Sequence, residues 1–316
     1  MTISKVVIVG AGPSGLLLGL LLTGAGIPVE LVEQTTSLDT NPRAAHYSPP
    51  SVFELDRAGV LDEVRPKGFT PDSLSWRKLD ANKTRIATIG RWARGVTEKG
   101  GIDERMRMVV LPLHKLGEIL ERRLKERHNA VIRYGHKVVD LGQDSKIAWV
   151  DVETEDGKKR IEGDYVVGCD GANSKVRKCL FGEDNYPGYT WDRQIVATNT
   201  YYDFGPYDYD DSQFFIHPEH YHMVAKLQDD GLYRITYGEI GGLTTEQMRE
   251  RQPKKFEIML PGNPKPGQYR IVNFSPYKIH QRCVDHMKVG KILLAADAAH
   301  LCNPLYVAIF LLKSKS

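Results

Sequence analysis

One stretch constrains the fold of this chain more than any other: Val6-Val7-Ile8-Val9-Gly10-Ala11-Gly12-Pro13-Ser14-Gly15. The β-branched run predicts a buried strand. Three glycines then predict a tight turn, and the apolar residues after Gly15 predict a helix. A second apolar run, Val29-Glu30-Leu31-Val32, ends in the acid Glu33. Strand, glycine turn, helix and acid-ended strand form a device for holding a dinucleotide. Gly10 permits the turn, Gly12 lets the backbone approach a pyrophosphate, and Gly15 lets the helix lie against the strand. Pro13 and Ser14 open the helix, whose free N–H groups and dipole favour an anion. Glu33 stands where it can accept hydrogen bonds from a ribose.

The same segment has a competing reading. The 24 residues from Val6 to Val29 carry no charged side chain, as a membrane span or secretory signal would require. Six glycines and two prolines interrupt them, however, and a continuous helix does not survive that. A buried parallel βαβ unit is apolar on nearly all faces for its own reasons. No membrane span is expected.

The rest of the composition excludes more than it assigns. Among 316 residues, 43 basic against 40 acidic side chains leave a net charge of +3, which makes no case for nucleic acid or an acidic membrane surface. Cys169, Cys179, Cys283 and Cys302 lack paired spacing. They suit a reducing, cytoplasmic setting and form neither a disulfide framework nor a zinc site.

Along the chain, Ser51–Ala58 reads as a helix stopped by Gly59, and Leu113, Leu116, Ile119, Leu120 and Leu124 mark one face of another. Alternation over 146–153 followed by Asp156-Gly157 predicts a hairpin. Asp164 to Gly171 and Lys291 to Ala296 read as buried strands, while 191–272 is rich in Tyr, His and Phe with strand-like alternation. The expected fold class is α/β: a Rossmann-like domain over 1–185, a β-rich substrate domain inserted over 186–280, and a return to the first domain over 281–316. Residues 69–108 are expected to contribute to the substrate side.

Three separated motifs then coincide: the Gly10–Gly15 turn with Glu33; Cys169-Asp170-Gly171-Ala172-Asn173-Ser174-Lys175-Val176-Arg177; and Leu293-Leu294-Ala295-Ala296-Asp297-Ala298-Ala299-His300 with Asn303-Pro304. In order and spacing they resemble the group A flavoprotein monooxygenases, the para-hydroxybenzoate hydroxylase and phenol hydroxylase type. The resemblance implies FAD, with Gly10, Gly12, Pro13, Ser14 and Gly15 at its pyrophosphate and Glu33 at its adenosine ribose. It further implies that Arg43 with Ala44 reaches the cofactor, and that Asp170 lies near the pyrophosphate and the path of the nicotinamide. Asp297 would bond the ribityl chain, and Pro304 would follow in the same cofactor-binding loop.

The activity implied is hydride transfer from NADH or NADPH to the flavin, followed by oxygen activation and hydroxylation of a small phenol-like ring. A tyrosine or histidine can deprotonate the phenol in similar enzymes; Tyr202, Tyr221, His222, Tyr233 and Tyr237 are unranked candidates here. His217, His220 and His222 lack the carboxylate or cysteine context of a metal site.

Three departures from the family pattern stand out. Ala296 replaces a usual glycine, Leu113 replaces a usual polar residue at the cofactor, and 305–316 lack the usual glycine-rich loop and long helix. The last makes a truncated relative the expectation. A non-catalytic relative and a flavin dehydrogenase or reductase are the alternatives. Substrate, nicotinamide preference and oligomeric state are left open by the sequence.

Overall fold

The computed structural model describes residues 3–39, 44–79, 86–93 and 103–302. The strand Val6–Val9 is at its centre because both its faces are covered. Val6 and Ile8 pack with Leu16 and Leu20 of the helix Pro13–Gly24 and with Leu116, Ile119, Leu120 and Leu124 of the helix Leu113–Lys125. Val7 and Val9 turn the other way, onto Val138, Ala148, Val150 and Val152. Side chains that alternate between two cores explain why the run is apolar throughout.

The central sheet has six strands in the order Lys288–Val289, Ile292–Leu294, Tyr165–Gly168, Val6–Val9, Val29–Val32, Ala130–Arg133. All neighbours are parallel except the first pair. Gly19 lets the two helices meet, since a Cβ there would lie 2.9 Å from Leu124 Cδ2. An antiparallel sheet of Lys137–Gln143, Ala148–Thr154 and Gly157–Gly163 covers the opposite face. Its hairpin turns at Glu155-Asp156, one residue earlier than the Asp-Gly signal suggests, and Gly157 takes the positive φ of +110°.

A second large sheet has eight strands: His300–Leu301, Arg270–Cys283, Gly188–Tyr201, Leu232–Glu239, His222–Lys226, Ser212–Phe215, Ser73–Leu79 and Ile86–Ala93. It draws on three parts of the chain, including 73–93 and the residues just after Asp297. One face is sealed by the helix Thr245–Met259, whose Phe256 is fully buried beside Tyr237 and Val196. That helix corrects the strand-like reading of 191–272. Its start was nevertheless written in the sequence, as a reciprocal capping box between Thr244 and Gln247.

Among the described residues no helix is long and apolar enough to cross a membrane. Pro13–Gly24 has 12 residues, about 18 Å of helix against a hydrocarbon core of about 30 Å. The four cysteines are free, and burial pushes the Cys169 thiol up to about 12, which leaves it inert.

Candidate FAD and substrate site

Three backbone hydrogen bonds tie the distant motifs into one edge. Gly10 N donates to Val32 O at 2.8 Å, Cys169 N to Val9 O at 2.7 Å, and Ala295 N to Gly168 O at 2.9 Å. The C-terminal ends of four parallel strands therefore stand side by side, where ligands of open α/β sheets bind. Gly10 is required by this crowding: its φ is +105°, and a Cβ would meet Cys169 O at 2.6 Å. At Gly15 a Cβ would come 2.0 Å from Gly10 O. Gly12 differs, because a Cβ there would meet nothing within 4 Å. The turn is thus packed behind and open in front, at the N-terminus of Pro13–Gly24, with Pro13 in the first turn and Ser14 exposed. That opening fits a dinucleotide pyrophosphate.

Glu33 lies beside the opening. Its Oε2 accepts from Ala11 N at 2.8 Å, and its Oε1 from Thr35 N at 2.9 Å and Thr35 Oγ1 at 3.0 Å. Asp170 is turned inward. Its Oδ1 accepts from Ser174 Oγ at 2.5 Å, and its Oδ2 from the amides of Lys175 at 2.6 Å and Val176 at 3.1 Å. Burial raises the Asp170 pKa, against the pull of these donors. The carboxylate thus anchors the turn from within, while its Cα lies beside Gly10. Asp297 is exposed in the short helical turn Ala296–Ala298. Ala296, at the position where the family resemblance implies glycine, has a φ of +53°. Ala44 O accepts from Leu113 N at 3.1 Å, so the backbone of Leu113 supports that loop, while its side chain is apolar where the family resemblance implies a polar one. Arg43 and Pro304 lie outside the described residues.

The eight-stranded sheet has two unlike faces. On the helix side Val196, Thr198, Val224 and Ile235 have no exposed surface. On the other side the register aligns Met223, Thr236, Ala197 and Ser275 in one row across four strands, and all four remain half-buried. The short side chains of Ala197, Thr236 and Ser275 thus stay accessible in mid-sheet. Arg234 and Asn199 flank this row on one side, with Arg234 Nε donating to Asn199 Oδ1 at 2.9 Å; Tyr277 flanks it on the other. Burial lowers the Arg234 pKa, and Tyr277 opposes that shift. Burial likewise raises the Tyr277 pKa, although 38 % of its surface is exposed. Burial and the Arg234 charge together hold His46 down at about 4, so the strand His46–Tyr47 lies within electrostatic reach of Arg234.

The chain matches the FAD binding domain family model over residues 4–306. It belongs to the group A FAD-dependent aromatic monooxygenases. Para-nitrophenol 4-monooxygenase of Pseudomonas sp. (strain WBC-3) is 34% identical over 304 residues, covering 96% of this chain and 73% of that protein. 6-Hydroxy-3-succinoylpyridine 3-monooxygenase HspB of Pseudomonas putida (strain DSM 28022 / S16) is 34% identical over 300 residues, covering 95% and 74%. The crystal structure of p-nitrophenol 4-monooxygenase PnpA from Pseudomonas putida DLL-E4 superposes with a TM-score of 0.86 at 33% identity, over 96% of this chain and 74% of that one.

Within this monooxygenase most of the aromatic residues singled out from sequence lie on the helix-covered face of the large sheet. Tyr237 packs against Phe256 with ring centres 6.0 Å apart, and His222 stacks on Phe215 at 4.1 Å. Tyr233 contacts Phe204, and Tyr202 donates to Pro261 O at 2.5 Å. All four belong to the side covered by the helix. Tyr221 lies over Gly238, filling the space a Cβ would need. Among the described residues no group of three metal-ligating side chains gathers, and His217 and His220 stack on one another instead. Sequence reasoning did not single out Arg234 or Tyr277, which share the face of the Met223 row. The signal for Arg234 was a charged residue inside Leu232–Glu239 with parity opposite to Tyr233, Ile235 and Tyr237.

Proposed function

We propose that this monooxygenase hydroxylates a small phenol-like aromatic, using FAD, NADH or NADPH, and O2. The observation that carries the reading is the accessible row of Met223, Thr236, Ala197 and Ser275 between Arg234 and Tyr277. A row across four strands spans about 14 Å, enough for a substituted benzene ring. The names of the two curated relatives, each acting on a hydroxylated or nitrated aromatic ring, support the same class. In this reading the Gly10, Gly12 and Gly15 turn with Pro13 and Ser14 holds the pyrophosphate, and the second lone pair of Glu33 Oε2 takes a ribose hydroxyl. Arg43, Ala44, Asp297 and Pro304 complete the cofactor contacts, and the Asp170 turn lines the approach of the nicotinamide.

Bound FAD supplies the electron transfer and oxygen activation; the protein supplies position and a dry recess. The test is the visible spectrum of the purified protein after incubation with FAD, followed by phenol-stimulated NAD(P)H oxidation under labelled O2. Flavin bands and label in the product are expected. Turnover without label in the product points to a dehydrogenase, and absence of flavin bands removes the reading altogether.

A further inference from the structure

We propose that a cleft at the far end of the large sheet binds a small organic cation, an alkylated ammonium, on the faces of Tyr202, Phe204 and Tyr233 beside Asp203 and Asp230. The site is separate from the cofactor edge, so the inference does not depend on the proposed hydroxylation. Gly188–Tyr201 lies between Leu232–Glu239 and Arg270–Cys283 in the sheet, and Tyr201 pairs with both Leu232 and Arg270, the residues at which the neighbouring strands begin. At its other end this 14-residue strand pairs Gly188 with Arg282, which in turn pairs with Leu301 just beyond Asp297. The cleft is therefore about 40 Å of extended strand away from the third motif.

A cavity of about 640 Å³ opens at this end, a volume typical of small-molecule sites. Gly205, Gly231 and Gly267 line it without side chains, which leaves its walls to rings and carboxylates. Phe204 forms the buried floor. The Tyr202 ring stands edge-on to it at 4.8 Å and 86°, and the Tyr233 ring tilts away at 4.6 Å and 59°. Rings in three planes form an aromatic corner, and the face of each ring attracts positive charge.

The charges agree with the rings. Asp230 Oδ2 accepts from Tyr201 OH at 3.0 Å and its Oδ1 from Leu232 N at 3.1 Å, while Asp203 Oδ1 accepts from Gly205 N at 2.9 Å. These bonds fix both carboxylates at the cleft, where both are exposed. Tyr233 feels Asp203, Asp211 and Asp229 against the single cation Lys226, which is itself paired with Asp229 at 2.5 Å. Arg270 is the one cation among the residues lining the cleft, and its guanidinium lies 4.1 Å from the centre of the Tyr201 ring. A tyrosine face at this end of the sheet thus already holds a cation, and an entering anion would meet two carboxylates.

The probe is choline, compared with its neutral isostere 3,3-dimethylbutanol, each titrated into the full chain at constant ionic strength and followed by calorimetry and tyrosine fluorescence. Saturable choline binding is expected, at least about tenfold tighter than that of the alcohol. Tyr233→Leu is expected to weaken choline at least about fivefold, and Tyr233→Phe, which keeps the ring, to bind it like wild type. Asp203→Asn is expected to weaken it about threefold, and Arg270→Ala, which removes a like charge and bares Tyr201, to tighten it by about the same factor. Melting temperatures establish that each variant is folded. The inference is overturned if choline shows no saturable binding, if the alcohol binds equally well, if folded Tyr233→Leu and Asp203→Asn both keep wild-type affinity, or if folded Arg270→Ala loses it.

Discussion

The Arg177 guanidinium lies 3.8 Å from the centre of the Tyr186 ring, and the pair joins two of the three motif loops. Arg177 Nη2 donates to Ala172 O at 2.9 Å and Nη1 to Ala298 O at 3.3 Å, while Tyr186 OH donates to Asp297 O at 3.0 Å. The turn after Asp170 and the turn around Asp297 are therefore held by one cation and one ring. Arg177 is 4% exposed, so its loss leaves two carbonyls without their donors. Arg177→Ala is expected to cost about 2–4 kcal/mol of stability and to weaken FAD, read by urea unfolding and flavin fluorescence. Arg177→Lys keeps the charge but not the fork and is expected to fall between.

The glycines of the first turn separate folding from binding. Gly15→Ala places a methyl against Gly10 O and is expected to yield little folded protein. Gly12→Ala meets open space, so its melting temperature without FAD is expected to stay close to wild type. Its methyl nevertheless intrudes where the pyrophosphate approaches, and FAD affinity is expected to fall at least about tenfold, or 1.4 kcal/mol. Equal FAD titrations for Gly12→Ala and wild type would count against the assigned cradle.

Ala296 sits at a φ of +53°, in the left-handed region that costs an L-residue about 1 kcal/mol. Ala296→Gly removes that strain at the expense of a more flexible unfolded chain. The expected outcome is a small gain, below about 1 kcal/mol, in the urea midpoint. A loss of stability would mean that the methyl makes packing contacts that outweigh the backbone strain.

Acid sensitivity should arise on the helix side of the large sheet. Burial holds His222 down at about 4, its ring packed on Phe215 and its Nδ1 against His220 O, with His217, His220 and Lys255 adding positive charge nearby. The unfolded chain binds this proton near pH 6.5 and the folded one only near 4, so stability is full above about 6.5 and declines as pH falls toward 4. One such group contributes a slope of about 1.4 kcal/mol per pH unit in that window. His222→Phe is expected to flatten the stability profile between pH 6.5 and 5 by about that slope, measured by denaturant unfolding at each pH. His46, also held at about 4, should supply a second, independent share.

The meeting of the three motifs at one sheet edge was legible in the sequence because its glycines are dictated by contacts of a few ångströms between backbone segments, and such contacts tolerate no other residue. Gly10 and Gly15 are of this kind. The anchoring role of Asp170 was not legible, since an Asp-Gly pair reads the same whether its carboxylate points to a ligand or back at the amides of Lys175 and Val176. The substrate side was harder. Aromatic density drew attention to Tyr202, Tyr233, Tyr237 and His222, and that density belongs to a core built against the helix Thr245–Met259. Which face of a strand looks onto a recess is settled by what covers the other face, and only the assembled fold contains that information. Ser275 carries no local mark of its position, and the parity of Arg234 within Leu232–Glu239 marks its face but not what lies over it.

The strand Arg270–Cys283 holds Ser275 and Tyr277 in mid-length and, at its end, pairs Arg282 and Cys283 with Leu301 and His300, just beyond Asp297. The Ser275 row and the loop of the third motif are consequently mounted on a single continuous beam, so their spacing is set by hydrogen-bonded backbone, and a strain applied at one end of the beam is felt at the other.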